Sequence, residues 1–375
     1  MKWDIFCSVV DNFGDIGVTW RLARQLASEH GCAVRLWVDD LAAFSRICPQ
    51  ADASQVQQWR DGVEVLQWSG TWQRVPAADV VIEAFACALP AAYIQAMSER
   101  ERPSLWLNLE YLSAEAWVEG CHALPSMQSN GLQKFFFFPG FTDKTGGLLR
   151  ERDLLSRRDA LRTDPAARQM FLASLGVIAQ TDTQLISLFA YELPRLGEWL
   201  DTLAQANERS HVLVPEGRVL GDVQRWLGAQ ALASGEVVER GSVRVQVLPF
   251  MSQQAYDQLL WCCDFNAVRG EDSFVRALWA GRPLVWHIYK QEDDAHLEKL
   301  EAFLTLYREG LSPAAKTALH DFWMAWNTEG ALAQAWNNVV ACRAELALHA
   351  EQKALQWASQ ADLASALVLF YRNWL

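Results

Sequence analysis

The hydrophobic positions of this chain alternate between short continuous runs and longer stretches with helical spacing. The first apolar run begins at Trp3 and leads to a turn that carries two acids, Asp11 and Asp15. An amphipathic stretch follows, in which Leu22 and Leu26 lie one turn apart on the same face. The pattern predicts a strand, a turn and a helix, which is the start of a βαβ unit.

The same alternation continues through the first half of the chain. Further strands are predicted at 33–40, 63–68, 79–86, 104–115 and near the start of 133–155. Short strand–helix–strand connections give parallel, right-handed units, and ligands bind at the carboxyl ends of such strands. Several of these runs end in acids, so we expect a negative rim that could face a basic loop of a partner protein, formed by Asp39, Asp40, Glu110 and Glu115.

A second series of strand-like runs follows, separated by helical patterns. The runs are 183–192, 211–217, 243–250, 264–272 and 282–289. From about residue 291 the pattern is helical. The sequence therefore predicts two Rossmann-like, doubly wound α/β domains that face a central cleft. We place the first at 1–178 and the second at 179–354, with a C-terminal helix of about 355–375 packing back on the first.

Composition and charge restrict the possible functions. A length of 375 residues suits two domains, and 51% hydrophobic with 21% charged residues is typical of a globular protein. The net charge of −12 disfavours nucleic acid as a partner. Eight scattered cysteines without a C-x-x-C pair, and seven histidines without ligand spacing, predict reduced thiols and no structural metal. No targeting or membrane segment is evident, which predicts a cytoplasmic protein.

The segment 265–289 holds the second candidate site. A strand is followed by a short turn from Arg269 to Ser273 and by a helix predicted from Phe274 to Gly281. A helix N-terminus binds anions, and here a hydroxyl and a guanidinium stand beside it. The alternative is that Asp272 or Ser273 simply caps the helix. This segment resembles the nucleotide-sugar half of the GT-B glycosyltransferases.

Five segments together narrow the resemblance. They are, in order, "DNFGDIGVTWRLA", "NLEYLSAE", "PGFTDKTGGLLRERD", "RGEDSFVRA" and "WHIY". With this order and spacing the chain resembles the elongation factor P arginine rhamnosyltransferases over nearly its whole length. The resemblance implies a GT-B fold and an inverting, metal-independent enzyme. Such an enzyme transfers L-rhamnose from dTDP-β-L-rhamnose to one arginine side chain of elongation factor P and needs no cofactor.

The opening turn suits the acceptor arginine. Two carboxylates four residues apart repel a diphosphate but hold a guanidinium, which offers five donors in a planar fork. The hypothesis makes Asp15 the base and Asp11 the clamp, whereas the alternative makes Asp15 a plain N-cap and Asp11 a surface acid. The other residues assigned to this turn are Asn12, Phe13, Gly14 and Gly17.

The second half suits the donor. No D-x-D triplet occurs in the chain, so the turn itself is expected to stabilise the leaving diphosphate. The residues assigned to this turn are Arg269, Glu271, Asp272 and Ser273. The resemblance implies that Glu271 also reaches the nucleotide sugar.

Aromatic residues at strand ends are further candidates for the donor site, and Phe189 is one of them. The resemblance also implies that Phe250 packs on thymine, that Gln253 bonds to its edge, and that Tyr191 and Tyr289 approach the phosphates. Each aromatic residue taken alone is better explained as part of the core.

Three other classes of function remain open on the residues alone. A dinucleotide oxidoreductase is weakened by the absence of a G-x-G-x-x-G segment after a strand. A non-catalytic sugar- or protein-binding module could share the GT-B shape. A glycosyltransferase that acts on a small molecule or a glycan would share the donor site and differ at Asp11, Asp15 and the acidic rim.

Overall fold

A computed structural model describes residues 1–9, 13–68, 72, 74–228, 231–328 and 330–375. Contacts divide the chain into two compact units, Met1–Arg152 with Trp357–Leu375, and Asp153–Gln356. No helix within the described ranges is both long and apolar enough to cross a membrane.

The first unit is built on a largely parallel sheet. Its described strands are β1 (Lys2–Cys7), β2 (Ala33–Val38), β3 (Gln57–Arg60), β4 (Val63–Gln67), β5 (Val80–Ala84), β6 (Leu105–Leu109), β7 (Pro125–Met127) and β8 (Gln133–Phe137), in the order β3-β4-β2-β1-β5-β6-β8-β7. Its helices are α1 (Gly14–His30), α2 (Leu41–Ile47), α3 (Ala91–Ser98), α4 (Trp117–Cys121) and, at the C-terminus, α15 (Leu363–Trp374). Strand β1 pairs in parallel with both β2 and β5, so the strand order reverses at β1.

The second unit repeats this plan with fewer strands. Its described strands are β9 (Thr183–Leu188), β10 (Arg209–Pro215), β11 (Val237–Arg240), β12 (Val243–Leu248), β13 (Phe265–Arg269) and β14 (Leu284–His287), in the order β11-β12-β10-β9-β13-β14. Its helices are α5 (Leu154–Thr163), α6 (Pro165–Ser174), α7 (Leu196–Gln205), α8 (Leu220–Leu227), α9 (Gln253–Cys262), α10 (Glu271–Ala280), α11 (Ala295–Tyr307), α12 (Pro313–Asn327), α13 (Leu332–Ala341) and α14 (Arg343–Ala358), whose last two residues fall in the first unit. Here the order reverses at β9, which lies between β10 and β13.

The predicted helix after the opening turn is present. Leu22 and Leu26 on its inner face are fully buried. It ends at Gly31, which adopts a left-handed conformation with φ of 64° that glycine accepts without steric cost. The helical spacing of apolar residues and the terminal glycine therefore predicted both the helix and its end.

The boundary between the units differs from the one expected at residue 178. Residues 153–178 belong to the second unit, because α5 and α6 pack against α9. The guanidinium of Arg158 is buried and donates to the Trp279 carbonyl at 3.0 Å and to Glu351 at 2.9 Å. An amphipathic pattern shows that a helix covers a sheet, but it does not show which sheet.

The C-terminal helix α15 packs on α1 within the first unit. The Gln25 side chain of α1 donates to Asp362 Oδ1 at 3.0 Å. Asp362 in turn caps α15 by accepting from the Ser365 backbone N–H at 3.0 Å. These contacts attach the last helix of the chain to the helix that carries the opening turn.

Candidate active site

In the first unit, Asp15 lies in the first turn of α1, the helix that follows β1 along the chain. The helix begins at Gly14, and its N-cap residue is Phe13, which makes no side-chain cap hydrogen bond. Asp15 is therefore not the N-cap, and this part of the alternative is wrong. Its side chain is 3% exposed, although a carboxylate in a first helical turn is usually solvated. The Gly17 backbone N–H donates to the Phe13 carbonyl at 2.9 Å and closes the turn.

Asp11 and Asn12 lie outside the described residues. The roles assigned to them from the sequence, as clamp and as turn residue, stay predictions.

An aromatic pair lies next to Asp15. The Tyr111 hydroxyl donates to Asp15 Oδ1 over 3.4 Å, and the Tyr111 ring stacks on Phe85 with a centroid distance of 4.6 Å. Phe85 and Ala86 follow β5 and have φ of 57° and 56°, which is unusual for residues other than glycine. Such strain is often found at functional sites. Because β1 and β5 are neighbours, their carboxyl ends bring Asp15 and this pair to one edge of the sheet.

Tyr111 and Phe85 were not predicted as site residues. Tyr111 stands in the segment "NLEYLSAE", which carried the resemblance, but no spacing rule connects it to Asp15. The two side chains meet only because β6 lies beside β5 in the folded sheet.

The acids at the ends of β2 have local partners. Asp39 accepts hydrogen bonds from the Ser8 hydroxyl and, at 2.9 Å, from the Val9 backbone N–H. Asp40 caps α2 by accepting from the Ala43 N–H at 2.9 Å. Asp39 therefore fixes the chain as it enters the opening turn.

The remaining rim acids are also bonded locally. Glu110 accepts from Asn108, and Glu115 accepts from the Ser113 hydroxyl at 2.8 Å. Burial, with the nearby charge of Glu83, raises the pKa of Glu110. A role of these acids towards a partner protein stays a prediction.

In the second unit, the turn between β13 and α10 differs from the predicted one. The helix begins at Glu271, before the predicted start at Phe274, and its N-cap is Gly270 with φ of 62° and no side-chain cap hydrogen bond. Capping by Asp272 or Ser273 is therefore wrong. Glycine at the N-cap leaves the first backbone N–H groups without a side-chain partner from that position.

Stacking fixes this helix over the end of the sheet. Phe274 lies parallel to Trp286 with a centroid distance of 4.1 Å, and the Trp286 indole N–H donates to the Gly270 carbonyl at 2.8 Å. The N-terminus of α10 is thus held next to the carboxyl ends of β13 and β14.

Each of the two acids at the start of α10 has a side-chain partner. Glu271 forms an ion pair with Lys299 of α11 at 2.9 Å, and both side chains are less than one fifth exposed, at 18% and 15%. The Gln253 amide, at the start of α9, donates to Asp272 Oδ2 at 3.3 Å. The structure therefore brings together Gln253 and Asp272, two residues predicted separately. Lys299 was not predicted, because it stands in an ordinary amphipathic helix.

Arg269 is the centre of an aromatic cluster. Its guanidinium lies 4.7 Å from the Phe189 ring centroid and 4.8 Å from that of Tyr191. Tyr191 also meets the half-exposed Tyr289 edge-on at 5.7 Å. These four predicted donor residues lie at the ends of β9, β13 and β14, which are neighbouring strands. The reversal of strand order at β9 is where open α/β sheets bind ligands.

The last two predicted donor residues, Phe250 and Ser273, are both half-buried. Phe250 follows β12, which is separated from β9 by β10, and Ser273 lies in the first turn of α10. Within the described ranges, no group of three or more His, Cys, Asp or Glu side chains is arranged to hold a metal ion.

The two sheets, each with candidate residues where its strand order reverses, define the GT-B class of fold. A glycosyltransferase from Rickettsia africae superposes with a TM-score of 0.54 at 9% identity, covering 99% of this chain and 98% of that one. A UDP-GlcNAc 2-epimerase from Neisseria meningitidis gives a TM-score of 0.52 at 10% identity, with complete coverage of both chains.

The family follows from closer matches. Residues 3–372 match the family described as Elongation-Factor P (EF-P) rhamnosyltransferase EarP, and the chain belongs to this family. A protein-arginine rhamnosyltransferase of Pseudomonas putida is 62% identical over 371 residues, covering 99% of this chain and 98% of that protein. Its counterpart in Pseudomonas aeruginosa is 61% identical with complete coverage of both. A solved structure described as the structural basis for EarP-mediated arginine glycosylation of translation elongation factor EF-P has a TM-score of 0.74 at 48% identity, covering 100% and 99%.

Proposed function

We propose that this protein transfers L-rhamnose from dTDP-β-L-rhamnose to an arginine side chain of elongation factor P, with inversion at the anomeric carbon. Family membership supports the acceptor and the sugar. The observation that carries the assignment of roles is the contrast between the two units. A buried carboxylate beside an aromatic pair stands in the first, and an arginine among aromatic rings beside a helix N-terminus stands in the second.

The first unit suits the acceptor guanidinium. Asp15 offers a carboxylate for a charge-assisted hydrogen bond, and the stacked rings of Tyr111 and Phe85 offer a face for a cation. An ordinary carboxylate has a pKa of ~4 and a guanidinium one of ~13, a gap worth about 12 kcal/mol, so proton transfer cannot precede attack. As the nitrogen bonds to the anomeric carbon, it loses its delocalisation and its proton becomes acidic. Asp15 then accepts that proton.

The second unit suits the sugar nucleotide. When the bond from the anomeric carbon to the diphosphate oxygen breaks, negative charge develops on the diphosphate. In this proposal Arg269 and the N-terminus of α10, which lie at the carboxyl edge of the sheet, stabilise that charge. Lys299 offsets the charge of Glu271, so this carboxylate repels the diphosphate less. The rings of Phe189 and Phe250 provide apolar surfaces of the kind a nucleobase stacks on.

Intact-mass measurement of elongation factor P tests the proposal directly. Incubation with this protein and dTDP-rhamnose should add the mass of one deoxyhexose, and the gain should persist in EDTA. Elongation factor P with its acceptor arginine replaced by lysine should gain nothing.

The other outcomes of this experiment identify the alternatives. Hydrolysis of dTDP-rhamnose without a mass gain would point to another acceptor, and tight dTDP binding without turnover would point to a non-catalytic module. Loss of transfer in EDTA, restored by magnesium, would contradict the metal-independent mechanism.

A further inference from the structure

His287 stands at the donor site although the sequence assigned it no role. It is the last residue of β14 and pairs in register with Arg269, the last residue of β13. Paired residues of parallel strands direct their side chains to the same face of the sheet. His287 and Arg269 therefore lie side by side at the carboxyl edge of the sheet, and β13 is a neighbour of β9, where the order of the strands reverses.

The imidazole is oriented by its packing. Its ring meets Tyr191 edge-on with a centroid distance of 5.4 Å. His287 is half-buried, and its Nδ1 atom is enclosed, without a hydrogen-bond partner among the residues that the structure describes. The part of the ring that reaches solvent is therefore the remainder, which includes Nε2. Tyr191 also contacts Arg269 and Tyr289, so the exposed part of the imidazole belongs to the same cluster as the predicted donor residues.

The charge of His287 is fixed by its surroundings. Burial, followed by the neighbouring guanidinium of Arg269, lowers the pKa of His287 to about 4. The other charged or titratable groups that act on it are Asp222 of α8 and His296 of α11. The ring is therefore neutral near pH 7, with one N–H donor to offer.

We propose that His287 Nε2 donates a hydrogen bond to a diphosphate oxygen of the sugar nucleotide, beside Arg269. This inference rests on the donor proposed above. A diphosphate presents only acceptor oxygens, which match one N–H donor placed next to a guanidinium. Arg269 supplies charge, whereas His287 supplies a directed donor that adds no charge of its own.

Calorimetric titration of the full-length protein with dTDP and with thymidine tests this role. His287→Leu removes the N–H, and His287→Phe removes it while keeping a ring against Tyr191. Both should weaken dTDP binding about tenfold or more, as expected for a lost hydrogen bond to a charged group, and should leave thymidine binding unchanged. His287→Gln, whose amide N–H can replace Nε2–H, should recover most of the affinity. His320→Leu, in α12, is the control and should bind dTDP like the wild type.

Each contrary result has a separate meaning. If the wild type binds dTDP and His287→Phe binds it equally well, the role of His287 is refuted while the proposed donor stands. If dTDP and thymidine weaken together and His287→Gln restores neither, His287 only packs against Tyr191 and the inference is again refuted. If the wild type itself does not bind dTDP, the proposed donor fails and this inference fails with it. Should His287→Leu not fold, the comparison between Phe and Gln at this position still decides.

Discussion

Asp15 is the residue on which the proposed chemistry depends most directly. It is nearly fully buried, and a hydroxyl points at one of its carboxylate oxygens. N-terminal capping does not explain why an acid stands at residue 15, because α1 begins at Gly14 and its N-cap is Phe13. A carboxylate buried in this place can accept a charge-assisted hydrogen bond from a guanidinium.

Asp15→Asn should therefore separate binding from turnover. Asparagine keeps the shape and can still accept from Tyr111, but it loses the charge and the proton acceptor. We expect dTDP affinity close to that of the wild type and a single-turnover rate lower by at least ~10²-fold. Calorimetry and rapid-quench measurements on the same preparation give the two quantities.

Asp61→Asn is the matched control for this substitution. Asp61 is an exposed acid of the same unit, paired only loosely with Arg24 at 3.6 Å, so the same change of charge should leave the rate within about twofold. A near wild-type rate for Asp15→Asn would remove the guanidinium-facing role from this turn.

The sequence could indicate some site residues and not others. Asp15 stands at a strand-to-helix turn, where the pattern of apolar residues directs attention. Tyr111 is 96 positions away, and Lys299 is 28 positions from Glu271. Neither distance corresponds to a helical or strand period, so only the folded sheet and the packing of α11 reveal these pairs.

Among the helices and strands, α10 contributes its N-terminus and Glu271 to the proposed donor site. Its start is held by the stack of Phe274 on Trp286, and its first residue forms the ion pair with Lys299. A carboxylate at a helix N-terminus is favourable by itself, yet it would repel a diphosphate bound at the same place. The ion pair resolves this conflict by neutralising Glu271 and fixing its direction.

Breaking this ion pair should weaken donor binding. Lys299→Met should lower the affinity for dTDP-rhamnose, because it leaves the Glu271 carboxylate unneutralised beside the diphosphate. Glu271→Ala should also lower it, because it removes the carboxylate expected to reach the nucleotide sugar. The double variant should lose less than the sum of the two, since without Glu271 the loss of Lys299 exposes no negative charge. Lys299→Arg should retain most of the affinity. Calorimetry on the four variants gives the coupling.

Lys316→Met, an exposed lysine of α12, is the control for loss of positive charge and should bind like the wild type. Strict additivity of Glu271→Ala and Lys299→Met would show that the pair does not act as a unit.

The elements that the sequence predicted are the central parallel strands, which are long, apolar and buried on both faces. The strands that it missed, β3, β7 and β11, are short antiparallel edges. The sequences of β3 and β11 contain no continuous apolar run, and most of their residues are exposed. An edge strand packs on one side and faces solvent on the other, so it lacks the apolar run that marks a central strand. The start of α10 was also placed too late, since Glu271 and Asp272 look like turn residues until the position of Gly270 is known.

For the molecule as a whole, the buried His211 contributes to the response to acid. His211 lies in the middle of the second sheet, on β10, and is 2% exposed. Burial, with the nearby charge of Arg244, lowers the pKa of His211 from its ordinary value of 6.5 to about 4. The folded protein therefore keeps this ring neutral at pH values where the unfolded chain protonates it.

The sign of the pH dependence follows from proton binding. Between pH 6.5 and about 4 the unfolded chain binds more protons at His211 than the folded protein does, so the free energy of unfolding falls as the pH falls through this window. A shift of this size corresponds to about 3 kcal/mol when the window is fully crossed.

His211→Gln removes the titrating group, so the free energy of unfolding of the variant should fall by about 2 kcal/mol less than that of the wild type between pH 7 and pH 4.5. Urea unfolding followed by tryptophan fluorescence at both pH values measures the difference. An identical pH dependence for His211→Gln and the wild type would mean that His211 is protonated in the folded protein, and the acid sensitivity would then have to come from other buried groups.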